Sequence, residues 1–197
     1  MNANIDSMKS KIVSKKAVQW GRVLRVEELH ANEFLVKNFV ETLKSNHPDL
    51  TEAQIEEEKT KMIVRDNLYN LAMDEVSSAY NIEVHEDDQR EREEEFRKSH
   101  PFFTEEQVKS NARVSIYKQL IYEDLAKEWE IEVTTEATKM VLENFYQHTG
   151  KSVNEYLNNP EKLEGVKGSI LEQLITERIM NAFGQEVNAE SKVSQKS

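Results

Sequence analysis

An all-α protein built from repeated helical hairpins is what this sequence predicts, and three observations carry the prediction. Only eight of the 197 residues are Gly or Pro, so long stretches run without a helix breaker. The chain also repeats itself. Asn46-His47-Pro48-Asp49-Leu50-Thr51-Glu52-Ala53-Gln54-Ile55 returns 53 residues on as Ser99-His100-Pro101-Phe102-Phe103-Thr104-Glu105-Glu106-Gln107-Val108. Tyr80-Asn81-Ile82-Glu83-Val84 returns 49 residues on as Trp129-Glu130-Ile131-Glu132-Val133, and His148 to Glu155 is a looser third copy of the first element. Finally, the repeated elements carry helix-start chemistry, which makes each unit a helical hairpin. Three units of about 50 residues follow, over 27–80, 82–129 and 131–183.

Taken in chain order, residues 1–25 hold six basic side chains and one acid, a net charge of +5 against −16 for the remainder. They read as a flexible basic N-terminal arm whose end is anchored by Val18, Trp20, Val23 and Leu24. Residues 26–183 form the helical domain, and 184–197 a disordered tail after Gly184, placed as a helix C′ glycine. Thr51-x-x-Gln54, Thr104-x-x-Gln107 and Ser152-x-x-Glu155 are capping boxes, in which hydroxyl and amide or carboxylate satisfy otherwise orphan helix N–H groups. Leu50 and Phe103 precede the first two and are placed to staple onto Ile55 and Val108. Pro48 and Pro101 end the helices before them, since proline disfavours the α conformation of its predecessor. Asn159-Pro160 is a further start, Asn as N-cap and Pro at N1. Apolar stripes at helical spacing run through Ile63, Leu68, Ala72, Val76 and Ala79; through Ile116, Leu120, Leu125 and Trp129; and through Leu163, Val166, Ile170, Leu174 and Phe183. Ile82-Glu83-Val84 and Ile131-Glu132-Val133 are short extended connectors. From His85 to Lys98 nearly every residue is charged, with Phe96 the one large apolar side chain. Glu86–Arg90, Asp88–Arg92, Glu93–Arg97 and Glu94–Lys98 support this helix at i,i+4 spacing, and lacking a wide apolar stripe it reads as an arm.

Composition removes several chemistries. Without cysteine there is no disulfide, thiolate metal site or thiol nucleophile. A net charge of −11 repels nucleic acid from most of the surface. No stretch approaches the 18 or so apolar residues of a membrane span, and Met1 to Trp20 lacks a signal-peptide core, so a cytoplasmic location is expected. Gly150-Lys151-Ser152 imitates the end of a P-loop, but Phe145 stands where its first glycine must be, and the segment sits at a helix start. His47, His100 and His148 recur at one point of the repeat, where an imidazole complements a helix C-terminus; no metal-ligand spacing accompanies them. With no nucleophile elbow either, the expectation is a non-enzymatic protein without cofactor.

Apolar surface carries the functional signal instead. Phe103 is explained by its staple and Phe102 is not. Met62 and Met140, with the adaptable thioether that suits varied partners, and Tyr117, Tyr122, Phe145 and Tyr146 lie outside the minimal stripes. These eight are the candidate client-binding residues. Lys9, Lys11, Lys15 and Lys16 of the basic arm are candidates for a ribosome contact, and a homodimer is compatible with the sequence.

Ile131-Glu132-Val133-Thr134-Thr135-Glu136, then Phe145-Tyr146, Asn159-Pro160-Glu161-Lys162-Leu163-Glu164-Gly165-Val166 and the run Ile170 to Ile179 resemble the C-terminal helical domain of bacterial trigger factor. The whole chain is similar to the small stand-alone relatives of that domain in bacteria with reduced genomes, the likeness covering about 50–183. The resemblance implies a multi-lobed cradle of extended helical hairpins with arms. It further implies an ATP-independent holding chaperone for exposed hydrophobic segments of unfolded or nascent polypeptides. Two departures limit it: the Gly-Phe-Arg-x-Gly-x-x-Pro type ribosome-docking loop is absent, and no stretch fits a prolyl isomerase domain. A helical adaptor for one specific protein, and a ribosome-associated factor docking through the basic arm, are the alternatives.

Overall fold

The computed structural model describes residues 8–147, 153–187 and 193–196. Among the described residues helices dominate and six short strands accompany them, so the fold is mainly helical rather than all-α. In order the elements are β1 (Lys11–Lys15), β2 (Val23–Val26), β3 (Leu29–Asn32), α1 (Glu33–Asn46), α2 (Glu52–Ser78), β4 (Tyr80–Glu83), α3 (Glu86–Ser99), α4 (Glu105–Glu128), α5 (Thr135–Gln147), α6 (Asn154–Leu157), α7 (Pro160–Asn181), β5 (Gly184–Val187) and β6 (Val193–Lys196). The chain divides into two units. Unit 1 comprises residues 1–17 and 79–178, unit 2 residues 18–78 and 179–197.

The repeat is reproduced in the helix boundaries themselves. Moving α1 forward by 53 residues carries Glu33 onto Glu86 and Asn46 onto Ser99, the ends of α3. In both hairpins the His before Pro is the C-cap: His47 N–H donates to Leu43 O at 2.9 Å and His100 N–H to Phe96 O at 2.8 Å. Both capping boxes close. Thr51 N–H donates to Gln54 Oε1 (2.9 Å) while Gln54 N–H donates to Thr51 Oγ1 (3.3 Å); the Thr104–Gln107 pair does the same at 2.9 and 3.2 Å. Asn159 caps α7 through Lys162 N–H at 3.1 Å. Ser152 and His148, with Gly150 and Lys151, lie outside the described residues; the short α6 that follows starts at Val153 with no side-chain cap.

Unit 1 places α3 along α4, with β1 and β4 as an antiparallel pair bulged between Ile12 and Ser14. Its core holds Val108, Ala112, Ile116, Ile121 and Leu125 of α4, with Tyr80, Ile82, Val133, Leu142 and Ile175. At its C-terminus α4 closes with a left-handed residue, Glu130 (φ 53°). Ile131 N–H then reaches back to Ala126 O and Glu130 N–H to Lys127 O, the pattern that satisfies the last helix carbonyls.

Residues 8–17 of the basic segment belong to this unit and residues 18–25 to unit 2, which corrects the reading of residues 1–25 as a free arm. Its strand completes β4, and its cations meet the acids that dominate the later chain. Lys9 pairs with Asp87, Lys11 with Glu83, and Lys15 with Asp124 and Glu128. Burial opposes the charge on Lys15, but its hydrogen bonds to Asp124 and Glu128 hold the ammonium above the ordinary lysine range. The Asp88 carboxylate, which the sequence pairs with Arg92, instead accepts the N–H groups of Lys9 and Ser10 and the Ser10 hydroxyl. Partial burial works against its ionisation, yet these donors hold Asp88 below the usual carboxylate range.

Unit 2 packs α1 on α2, with β2 and β3 against α2. Both strands pair in parallel with the chain's end: Val23 to Val26 with Gly184 to Val187, and Leu29 to Asn32 with Val193 to Lys196. The disordered tail expected over 184–197 is therefore strand at 184–187 and 193–196, and residues 188–192 and 197 are outside the described residues. Gly184 lies close against β2, where a Cβ would meet Val23 Cγ2 at 3.0 Å. The left-handed glycine is Gly21 (φ +83°), whose N–H donates to Ala182 O at 2.7 Å. Buried Asn67 brackets β3, accepting from His30 N–H (2.9 Å) and donating to His30 O (2.8 Å).

The first two apolar stripes lie inward as expected, apart from half-buried Trp129. The third is kept in part, with Phe183 buried and Leu163, Val166 and Ile170 half-buried. On α7 the buried residues are Ile175, Ile179 and Met180, while Leu174 is 41% exposed. Thr176 and Glu172 are engaged by Tyr122 and Lys118 of α4, and that contact sets which side of α7 turns inward.

Candidate functional site

Two exposed apolar surfaces emerge in unit 1, each placed by the repeat. The first is the turn between α3 and α4. His100 stacks on Phe103 (centroids 4.7 Å, 17°), Phe96 lies 5.6 Å from the His100 ring, and Phe102 meets Phe103 edge-on at 5.1 Å. Phe102 is 60% exposed at the outside of this cluster. Arg97 ties the turn together, bonding Glu93 on its own helix and Glu105 at the start of α4.

The second surface is one side of α5. Thr134 caps the helix through Ala137 N–H at 3.1 Å, and Thr138 and Leu142, four residues apart, face inward. Their burial fixes the rotation of the helix and turns Met140 (63% exposed), Val141 (48%) and Phe145 (66%) outward. Phe145 meets Tyr146 edge-on at 5.3 Å, and the half-buried Tyr146 ring lies 5.9 Å from Tyr156.

The eight expected residues thus separate. Phe102, Met140 and Phe145 are exposed, and Phe103 and Tyr146 are half-buried beside them. Tyr117 is half-buried on α4; its hydroxyl donates to Ile82 O at 3.4 Å and the Arg113 guanidinium lies over its ring. Tyr122 is corrected to the interior: only 4% exposed, its hydroxyl bonded to that of Thr176 at 2.8 Å. A polar partner on α7 lets a tyrosine take a place in the α4 stripe that composition alone leaves unassigned. Met62 is half-buried on α2, in unit 2.

Val141 was missed, although its spacing of four from both Ala137 and Phe145 marks a second apolar row on α5. Val114 of α4 (61% exposed) was also missed and carries no sequence signal of that kind.

Among the described residues no group of three or more His, Asp or Glu is arranged to hold a metal ion. No described helix is long and apolar enough to cross a membrane.

Residues 90–181 match the family described as bacterial trigger factor protein C-terminus, the one the sequence resembles. The chain is 25% identical over 178 residues to an uncharacterized protein, MG377, of Mycoplasma genitalium, covering 90% of this chain and 92% of that one. It is 28% identical over the same length and coverage to the MG377 homolog of Mycoplasma pneumoniae, also uncharacterized. The crystal structure of the hypothetical Mycoplasma protein MPN555 is similar in fold, with a TM-score of 0.78 and 26% identity over 96% of this chain and 97% of that one.

Proposed function

Because this chain is a relative of the bacterial trigger factor C-terminus over residues 90–181, we propose that it is an ATP-independent holding chaperone for exposed apolar segments of unfolded or nascent polypeptides. One observation carries the reading. Of the eleven exposed large apolar side chains described, six (Phe102, Val114, Met140, Val141, Phe145 and Leu174) fall within the segment related to trigger factor. Each is a shallow contact that excludes little water, so affinity is spread over several weak sites and clients leave without a chemical step. The net charge of −11 keeps a loaded chaperone soluble. A cytoplasmic location fits this role.

Docking on a ribosome through the basic segment is the weaker proposal, since Lys9, Lys11 and Lys15 already hold acids of the same chain. A dedicated adaptor is separated by capture from extract: many unfolded proteins for a chaperone, one dominant partner for an adaptor.

The test is light scattering of an unfolding client. The purified protein is expected to suppress it at about one-to-one stoichiometry without ATP. The triple substitution Phe102→Ser, Met140→Ser, Phe145→Ser is expected to lose most of this activity with helicity unchanged. Equal scattering with and without the wild-type protein would overturn the proposal.

A further inference from the structure

Strands β1 and β2 are held in place by different forces. In β2 and β3 alternate residues are buried, Leu24 and Val26, then Leu29 and Ala31, and burial of that kind needs no charge. From Lys9 to Lys16 the one buried residue is polar Ser10; Ile12 is half-buried and Val13 is 53% exposed. Charge holds this segment instead. Lys9 pairs with Asp87 at 2.6 Å, Lys11 with Glu83 at 3.5 Å, and Lys15 with Asp124 at 2.7 Å and with Glu128. The Lys11 and Glu83 side chains are 66% and 64% exposed. Such pairs weaken as added salt shortens the Debye length, from about 10 Å at 0.1 M to about 3 Å at 1 M.

The acids beneath the segment keep other partners when it leaves. Asp87 is also bonded by Arg90 at 2.9 Å, and Asp124 by the Tyr80 hydroxyl at 2.9 Å. Glu83 and Glu128 reach water, so lifting β1 leaves no buried charge unpaired. Strand β4 has its own hold on the unit: Tyr80 and Ile82 are buried, and the Tyr117 hydroxyl donates to Ile82 O at 3.4 Å. One contact is of another kind. Asp88 accepts the N–H groups of Lys9 at 3.0 Å and Ser10 at 2.5 Å, and also the Ser10 hydroxyl, whose oxygen accepts His85 N–H at 2.9 Å. These donors are neutral and the contact around Ser10 is partly buried, so salt screens it little.

We propose that residues 11–16 are an ionic strap fixed at Ser10, which lies on β4 at low ionic strength and lifts from it as salt rises, while the rest of unit 1 stays folded. Closed, the strap completes the β1–β4 pair. Open, it presents Lys11, Lys15 and Lys16 together and uncovers one edge of β4. The basic arm legible in the sequence and the strand in the structure are then two states of one segment.

Amide hydrogen exchange followed by NMR on the full chain tests this. The Lys16 N–H donates to Ala79 O at 2.8 Å and reports the closed strap. Its protection is expected to fall by about tenfold or more between about 50 mM and about 500 mM NaCl. Over the same range the amides of Ser10, of Ile116 and Ile121 in α4, and of Val26 in β2 are expected to change by less than about twofold. Lys11→Gln with Lys15→Gln is expected to show at low salt the Lys16 protection that the wild type shows at high salt, with circular dichroism unchanged. Protection at Lys16 that ignores salt, or that falls in step with Ile121 or with Ser10, would each overturn the proposal. The wild-type titration decides the matter even where the double variant does not fold.

Discussion

The α1–α2 and α3–α4 hairpins are two castings of one frame, related by a shift of 53 residues, yet their surfaces have diverged almost completely. The frame is the set of backbone-satisfying groups: the His C-cap, the His-Pro turn and the Thr-x-x-Gln box, present in both with matching hydrogen bonds. The inward stripe is kept as well, Ile55, Ile63 and Leu68 answering to Val108, Ile116 and Ile121. Everything else is free. The first turn carries Asp49 and Leu50 where the second carries Phe102 and Phe103. Leu35, exposed on α1, occupies the place of Asp88, which anchors α3 to the N-terminal segment. Caps and core define the hairpin; the remaining positions are available for partners.

That division can be tested at matched positions. The core positions carry the largest effect. Ile116→Ala and Ile63→Ala are each expected to cost about 2–5 kcal/mol, since both are almost fully buried. Chemical denaturation measures this, and a cost below about 1 kcal/mol at either site would break the equivalence of the two stripes. The anchor should break the symmetry. Asp88→Asn is expected to cost about 1–2 kcal/mol at neutral pH, a hydrogen-bonded carboxylate discounted for its partial exposure, and Leu35→Asn under about 0.5 kcal/mol. Because the folded state holds Asp88 below its ordinary value, its contribution is complete above the unfolded pKa of about 3.9. It is lost as pH falls through the lower, folded value. Acid unfolding of the Asp88→Asn variant should lack that step, and an identical pH profile would refute the anchor. The caps should restore symmetry at the smallest scale: Thr51→Ala and Thr104→Ala are each expected to cost about 1 kcal/mol, read from the shift in denaturation midpoint.

The same frame explains what was legible in sequence. Capping boxes, prolines and repeats are local signals, and the hairpins they predict are present, with helices at 33–46, 52–78, 86–99 and 105–128. Apart from the extended piece read at Ile82 to Val84, which overlaps β4, the strands were not legible. β1 and β2 are short, and what makes them strands is a partner 65 or more residues away, Glu83 for Lys11 and Gly184 for Val23. Local composition near Lys9 to Lys16 shows only charge, and charge reads as solvated until the acids that absorb it are located. Among the candidate site residues, Phe102, Met140 and Phe145 stood out because no stripe accounted for them. Tyr122 failed the same reasoning, since its aromatic body fits a core wherever a hydroxyl partner is supplied, and Thr176 supplies one from 54 residues on.

The discontinuity of the two units has a consequence for synthesis. Unit 2 begins at residue 18 but recovers its last strands only from residue 179 onward, so the two units alternate along the chain and residues 79–178 of unit 1 interrupt unit 2. During synthesis β1 waits about 65 residues for β4, while β2 and β3 wait for partners that begin at Gly184 and Val193. During that interval Leu24 and Val26, buried at the end, have no strand beside them, and the long sequence separation slows closure. Unit 1 therefore has all its residues before unit 2 does, and β2 and β3 are, for a time, the kind of unpaired apolar segment that needs shelter.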